Sequence, residues 1–159
     1  TIQKPNLYSF IPYLFMEIRE SLFTEYLSAK ARDPYQLSHA LIHAAYKFGH
    51  VVEKENSVEA SGPRVNSHVH FTLKKQFDKF TFLHIDVYAE GDSYLEELNV
   101  SINASIVSET PETRGMISGI FHKQYRDKIY EKAKHSAAAL AKEFFLEIQK
   151  VLKGEKIVE

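Results

Sequence analysis

The chain has 159 residues, 44% of them hydrophobic, with 20 basic and 21 acidic side chains and no cysteine. That length suits one domain with a full core, and the near balance of charge argues against a dedicated nucleic-acid binder, which needs a surplus of Lys and Arg. The lack of cysteine excludes disulfides, thiolate catalysis and Cys-held metal centres; no apolar run reaches the ~18 residues of a membrane span, and with no secretory pattern at the start a cytoplasmic protein is expected.

After a Pro-punctuated opening, residues 12–30 read as a helix. Phe15, Ile18, Leu22 and Tyr26 fall three or four apart, and Leu14, Phe23 and Leu27 widen the stripe. Asp33-Pro34 then has the chemistry of a helix start, Asp as cap and Pro at the first helical position. The second helix carries Leu37, Leu41, Ala44, Ala45 and Phe48 on one side, and Gly49 is placed to end it in a left-handed conformation. With so short a link the two helices should form a hairpin.

Residues 50–60 alternate poorly, charged throughout at Glu53-Lys54-Glu55, which suits an edge strand. Three segments of clearer alternation follow, around Val65–Leu73, Phe82–Val87 and Leu98–Ile106. A period of two marks strands with one buried face. A turn at Gln76-Phe77-Asp78 sets Val69 against Ile85 and Phe71 against Leu83, and a turn at Glu90–Ser93 brings Ile85 to Leu98 and Leu83 to Val100. Apolar then faces apolar throughout, as a single buried face requires. Thr110-Pro111-Glu112 reads as another helix start, with a break near Gly115–Gly119 and a long terminal helix from about Lys123 to Leu152, stopped by Gly154. The expected fold is α+β in a single domain: an N-terminal helix pair, an antiparallel meander of about four strands, and a long C-terminal helix packed on the sheet.

The same registers gather the chemistry-bearing residues on the other face. His70 falls opposite His84, His68 opposite Asp86, and Glu97 beside Asp86. His68, His70, His84 and Asp86 form a spacing that suits Zn²⁺, Mn²⁺ or Fe²⁺ through nitrogen and oxygen ligands, with Glu97 as the base of a hydrolase-like reaction at a metal-bound water. The plainer reading is a solvated face, which collects His, Asp, Glu and Asn because they are polar. Phe80, Phe82 and Tyr88 are assigned to this face as well; large rings on a wet surface point to a cover, whether a partner subunit, a ligand or the N-terminal helices. His39 and His43, four apart in the second helix, lack the Glu of H-E-x-x-H and read as polar side chains on the outside of that helix. No P-loop, dinucleotide fingerprint or nucleophile elbow is present.

The order of helix pair, meander and long last helix resembles that of helix-grip folds. The resemblance implies a curved sheet around the last helix and a cavity for an apolar small molecule, although four strands are counted here where that fold usually has six. Phe71, Leu83, Ile85, Val100, Phe121, Tyr125 and Phe144 would line such a cavity, and the same residues would fill a dry core. Three functions therefore stand side by side: a non-enzymatic binder of an apolar molecule or protein partner, a metal-dependent enzyme, and an oligomeric scaffold.

Overall fold

The computed structural model describes residues 15–111 and 129–158. In chain order it runs β1 (Phe15–Lys30), α1 (Pro34–Ala45), β2 (His50–Ser61), β3 (Arg64–Gln76), β4 (Thr81–Asp92), β5 (Glu97–Pro111) and α2 (Glu131–Val158). The strands form one antiparallel sheet in the order β1-β5-β4-β3-β2. The α+β class, the meander and the terminal helix agree with the sequence reading. The N-terminal helix pair does not: its first member is a strand, and the sheet has five strands.

The reason lies in one extra residue. β1 pairs with β5 along its whole length, but the register shifts between Ser21 and Phe23, leaving Leu22 as a bulge. A bulge moves the alternation of a strand by one residue. Glu20 and Phe23, three apart, therefore both face the helices: Glu20 pairs with Lys134 and accepts from the Tyr130 hydroxyl at 3.0 Å, and Phe23 meets Phe145 edge-on at 5.8 Å. Period two with one slip looks like period 3.6 on paper. β2 carries a second bulge between Glu53 and Glu55 and lies at the far edge of the sheet. Its charged run and bulge both discourage further pairing there.

Asp33 caps α1 as its chemistry demands, accepting from the Gln36 amide at 3.1 Å, with Pro34 at the helix start. Gly49 serves a different purpose from the one expected. It has no positive φ; a Cβ there would stand 2.6 Å from the Lys74 carbonyl oxygen, so the site needs a residue without one. The left-handed glycine is Gly62, at φ 62°, which opens the two-residue turn from β2 to β3. Gly154 lies inside α2 instead of ending it. β5 continues through Pro111, so the helix start expected at Thr110-Pro111 is strand up to that point. The break near Gly115, together with Phe121 and Tyr125, lies outside the described residues.

Both helices pack on one face of the sheet. Phe71, Leu73, Leu83, Ile85, Val87, Leu98, Ile102 and Ile106 are sealed beneath Leu37 and Leu41 of α1 and Phe144 and Ile148 of α2. Along α2 the buried residues among those described are Ala133, Ala137, Ala141, Phe144, Ile148 and Leu152, one stripe at helical spacing. The alanines at its first turns leave room for the helix to lie close to the strands. Phe144 meets Phe48 edge-on at 5.4 Å. Burying a side chain of that size contributes roughly 1.5–3 kcal/mol.

Candidate functional site on the helix-free face

Among the described residues, no helix lies on the face of the sheet turned away from α1 and α2, which is built from alternate residues of all five strands. Its neighbours differ from those expected. His70 pairs with Tyr88 and not His84, a slip of four residues between β3 and β4. Leu83 pairs with Ile106 and not Val100, a slip of six between β4 and β5. Both slips are even, so every residue keeps its face while changing its partner. The corrected pairings set Tyr26, Ser101, Tyr88, His70 and Glu55 in one row across the sheet. On one side of it run Ser28, Asn99, Glu90 and His68, and on the other Thr24, Asn103, Asp86 and Thr72.

Asp86 is the electrostatic centre of this face. Thr72 Oγ1 donates to its Oδ1 at 2.6 Å, and His70 Nε2 lies 3.3 Å from the same oxygen. Burial pushes the Asp86 carboxyl up, but the bonds to Thr72 and His70 and the nearby imidazoles outweigh it and leave the group below its ordinary value. The His70 ring stacks on Tyr88 with centroids 3.9 Å apart and planes 14° from parallel. Held by Asp86 at its edge and Tyr88 on its face, the imidazole is fixed in orientation.

The proposed metal ligands meet only in part. His70 and Asp86 are together, whereas His68 Nδ1 lies 3.9 Å from Glu90 Oε1. His84 pairs across the strands with Lys74 and Ser105, and its Nδ1 is buried with no hydrogen-bond partner among the described residues. Burial lowers the His84 pKa, as do the charges of Lys74, Arg19 and Lys54, while Asp86 opposes the shift. Glu97, the suggested base, is opposite Asp92 at the end of β5, 3.7 Å from Lys30, and not beside Asp86. Among the described residues, no group of three or more His, Asp or Glu is arranged to hold a metal ion.

The other candidates also part company. Phe71, Leu83, Ile85, Val100 and Phe144 are at most 2% exposed and belong to one continuous core. Of the three aromatic residues assigned to the wet face, Phe80 sits in the β3–β4 turn and packs against that core, with Lys79 over its ring. Phe82 and Tyr88 are on the helix-free face as expected, since they alternate with His84 and Asp86.

Two grooves on this face escaped the sequence reading. One, of about 400 Å³, lies between Tyr26 and Tyr88, with Ser28, Glu90, Asn99 and Ser101 along it. The tyrosines are 77% and 46% exposed. Ser101 stands between them in the row, and its small side chain opens the gap. Ser28 Oγ donates to Asn99 Oδ1 at 2.9 Å. The second groove, of about 300 Å³, is lined by Arg19, Lys74, Phe82, His84, Val107 and Glu109. Helical spacing puts Tyr26 in an apolar stripe; in the bulged strand it pairs with Ser101 on the open face.

The described residues define an α+β protein in which a five-stranded antiparallel sheet is backed by two helices on one side. No helix among the described residues is long and apolar enough to cross a membrane. No protein-family model matches the sequence, and no curated protein matches it at a significant level. Among solved structures, an uncharacterized protein from Rhizobium leguminosarum superposes over 85% of this chain and 99% of its own, with 6% identity and a TM-score of 0.25. Ara h 8.0201 covers 74% of this chain and 98% of its own, with 7% identity and a TM-score of 0.22. Both scores are too low to establish a shared fold.

Proposed function

We propose that the protein is a non-enzymatic binding domain that takes a small ring-bearing molecule on the helix-free face, between Tyr26 and Tyr88. The observation that carries this reading is the pair of exposed tyrosine rings two strands apart with Ser101 between them. Two strand spacings place their backbones about 9.6 Å from each other, a gap suited to a flat apolar ring. A tyrosine offers an apolar face and a polar tip, and the rim adds Asn99, Ser28 and Glu90 as hydrogen-bonding groups. A groove of about 400 Å³ is within the range of small-molecule sites. The ligand then lies over the sheet; the space between sheet and helices, where a helix-grip cavity would be, holds the close-packed side chains of Phe71, Leu83, Ile85 and Phe144.

Titration with indole, followed by amide and methyl NMR shifts, tests this reading. Saturable shifts centred on Tyr26, Tyr88, Asn99 and Ser101, abolished by Ser101→Trp, are expected. Shifts centred on Phe71, Ile85 and Phe144 would place the ligand in the interior and refute the proposal.

A further inference from the structure

The groove between Tyr26 and Tyr88 has a sign of charge as well as a shape. Among its lining residues Glu90 carries the charge, and no Lys or Arg joins it. The Glu90 side chain is 71% exposed, and His68 Nδ1 stands 3.9 Å from its Oε1, beyond hydrogen-bond length. Along β4 the nearest charged neighbours of Tyr88 are both carboxylates, Glu90 two residues one way and Asp86 two residues the other; Asp86 is engaged by Thr72 and His70. Cations on this part of the face are matched. Lys30, four residues along β1 from Tyr26, lies 3.7 Å from Glu97, and Arg64 pairs with Asp92. The cations Arg19, Lys54 and Lys74 act on His84, four residues along β4 from Tyr88, which is about 14 Å at 3.4 Å per residue.

We infer that the occupant of this groove is a small aromatic amine in its ammonium form, the ring between Tyr26 and Tyr88 and the ammonium at Glu90. This deepens the reading proposed above and rests on it. Two features select a cation. An ammonium donates charge-assisted hydrogen bonds to a carboxylate, and the electron-rich faces of tyrosine rings attract a positive charge. From Tyr88 to Glu90 along β4 is about 7 Å, a distance that a short aminoalkyl arm on a flat ring spans. Ser28, Asn99 and Ser101 add neutral polar groups along the groove and leave its sign unchanged. An anion of the same shape meets the Glu90 carboxylate with like charge and is disfavoured.

Tryptamine, indole and indole-3-propionate provide the test, since they share one ring and differ in charge. Each is titrated into the whole protein and followed at the Tyr88, Asn99 and Ser101 amides. Tryptamine should bind about fivefold tighter than indole, equivalent to ~1 kcal/mol and in keeping with an exposed ion pair, and indole-3-propionate should bind more weakly than indole. Glu90→Gln, at an exposed position, should bring the ratio of tryptamine to indole affinity close to one. Added salt should shrink the same ratio in the unaltered protein. Equal affinity for all three compounds, or a ratio that survives in Glu90→Gln, would overturn the inference. Saturable indole binding with no gain for tryptamine sinks this inference and leaves the groove reading standing; no saturable response to any of the three removes both.

Discussion

The two faces of the sheet use the same strands for opposite ends. On one, Leu73, Leu83, Ile85, Val87, Ile102 and Ile106 are sealed under α1 and α2 with no water contact. On the other, Tyr26, Tyr88 and His70 share one row and Asp86 and Thr72 lie in the next, with one groove between the tyrosines and another beside Phe82 and Val107. Stability belongs to the first face, and the proposed recognition to the second. A side chain on the helix side fills volume that nothing else can fill, whereas one on the open side can change without leaving a void.

Substitutions that tell the faces apart should therefore differ greatly in cost. Phe144→Ala empties the centre of the core and should cost about 3–5 kcal/mol, read from urea unfolding. Gly91→Ala should cost about 1–3 kcal/mol through overpacking, since its Cβ would stand 2.7 Å from Pro34 Cβ and 2.5 Å from Ser67 Oγ. Asp33→Ala removes the α1 cap and should cost about 1 kcal/mol; Asp33→Asn should recover most of it.

The open face should reveal itself through acid. His84 and Asp86 both have folded pKa values below their ordinary 6.5 and 3.8, so the unfolded chain takes up each proton first. His84 then gives its full contribution above 6.5 and loses it as pH falls through that value toward its folded pKa. Asp86 keeps its contribution above 3.8 and loses it as pH falls toward its own folded pKa. Urea midpoints measured against pH should fall in two separate windows. His84→Gln should remove the upper one and narrow the lower, because the His84 imidazole helps hold the Asp86 carboxyl down.

This division was legible in the sequence wherever parity alone decides it. Alternation put Val69, Phe71, Leu83, Ile85 and Val100 on one side and His68, His70, His84 and Asp86 on the other, and even register slips preserved both sets. Parity says nothing about which member of a set stands opposite which. Hence alternation alone sets His70 against His84 where the sheet sets it against Tyr88, and a His70–Asp86–Thr72 network stands in place of a four-ligand cluster. The strand β1 was illegible for a related reason. Leu22 interrupts its alternation, and the resulting spacing of Leu22, Phe23 and Leu27 matches a helix as well as a bulged strand. Local chemistry fared better: Asp33 and Pro34 marked the start of α1 without any knowledge of the sheet.

The division of labour is tested most directly by the Tyr26→Ala/Tyr88→Ala double variant, examined by urea unfolding and indole titration on the same sample. The expected result is a stability loss of no more than about 1.5 kcal/mol, the value of an aromatic stack, with the indole response abolished. A loss as large as that of Phe144→Ala, or an undiminished indole response, would contradict it.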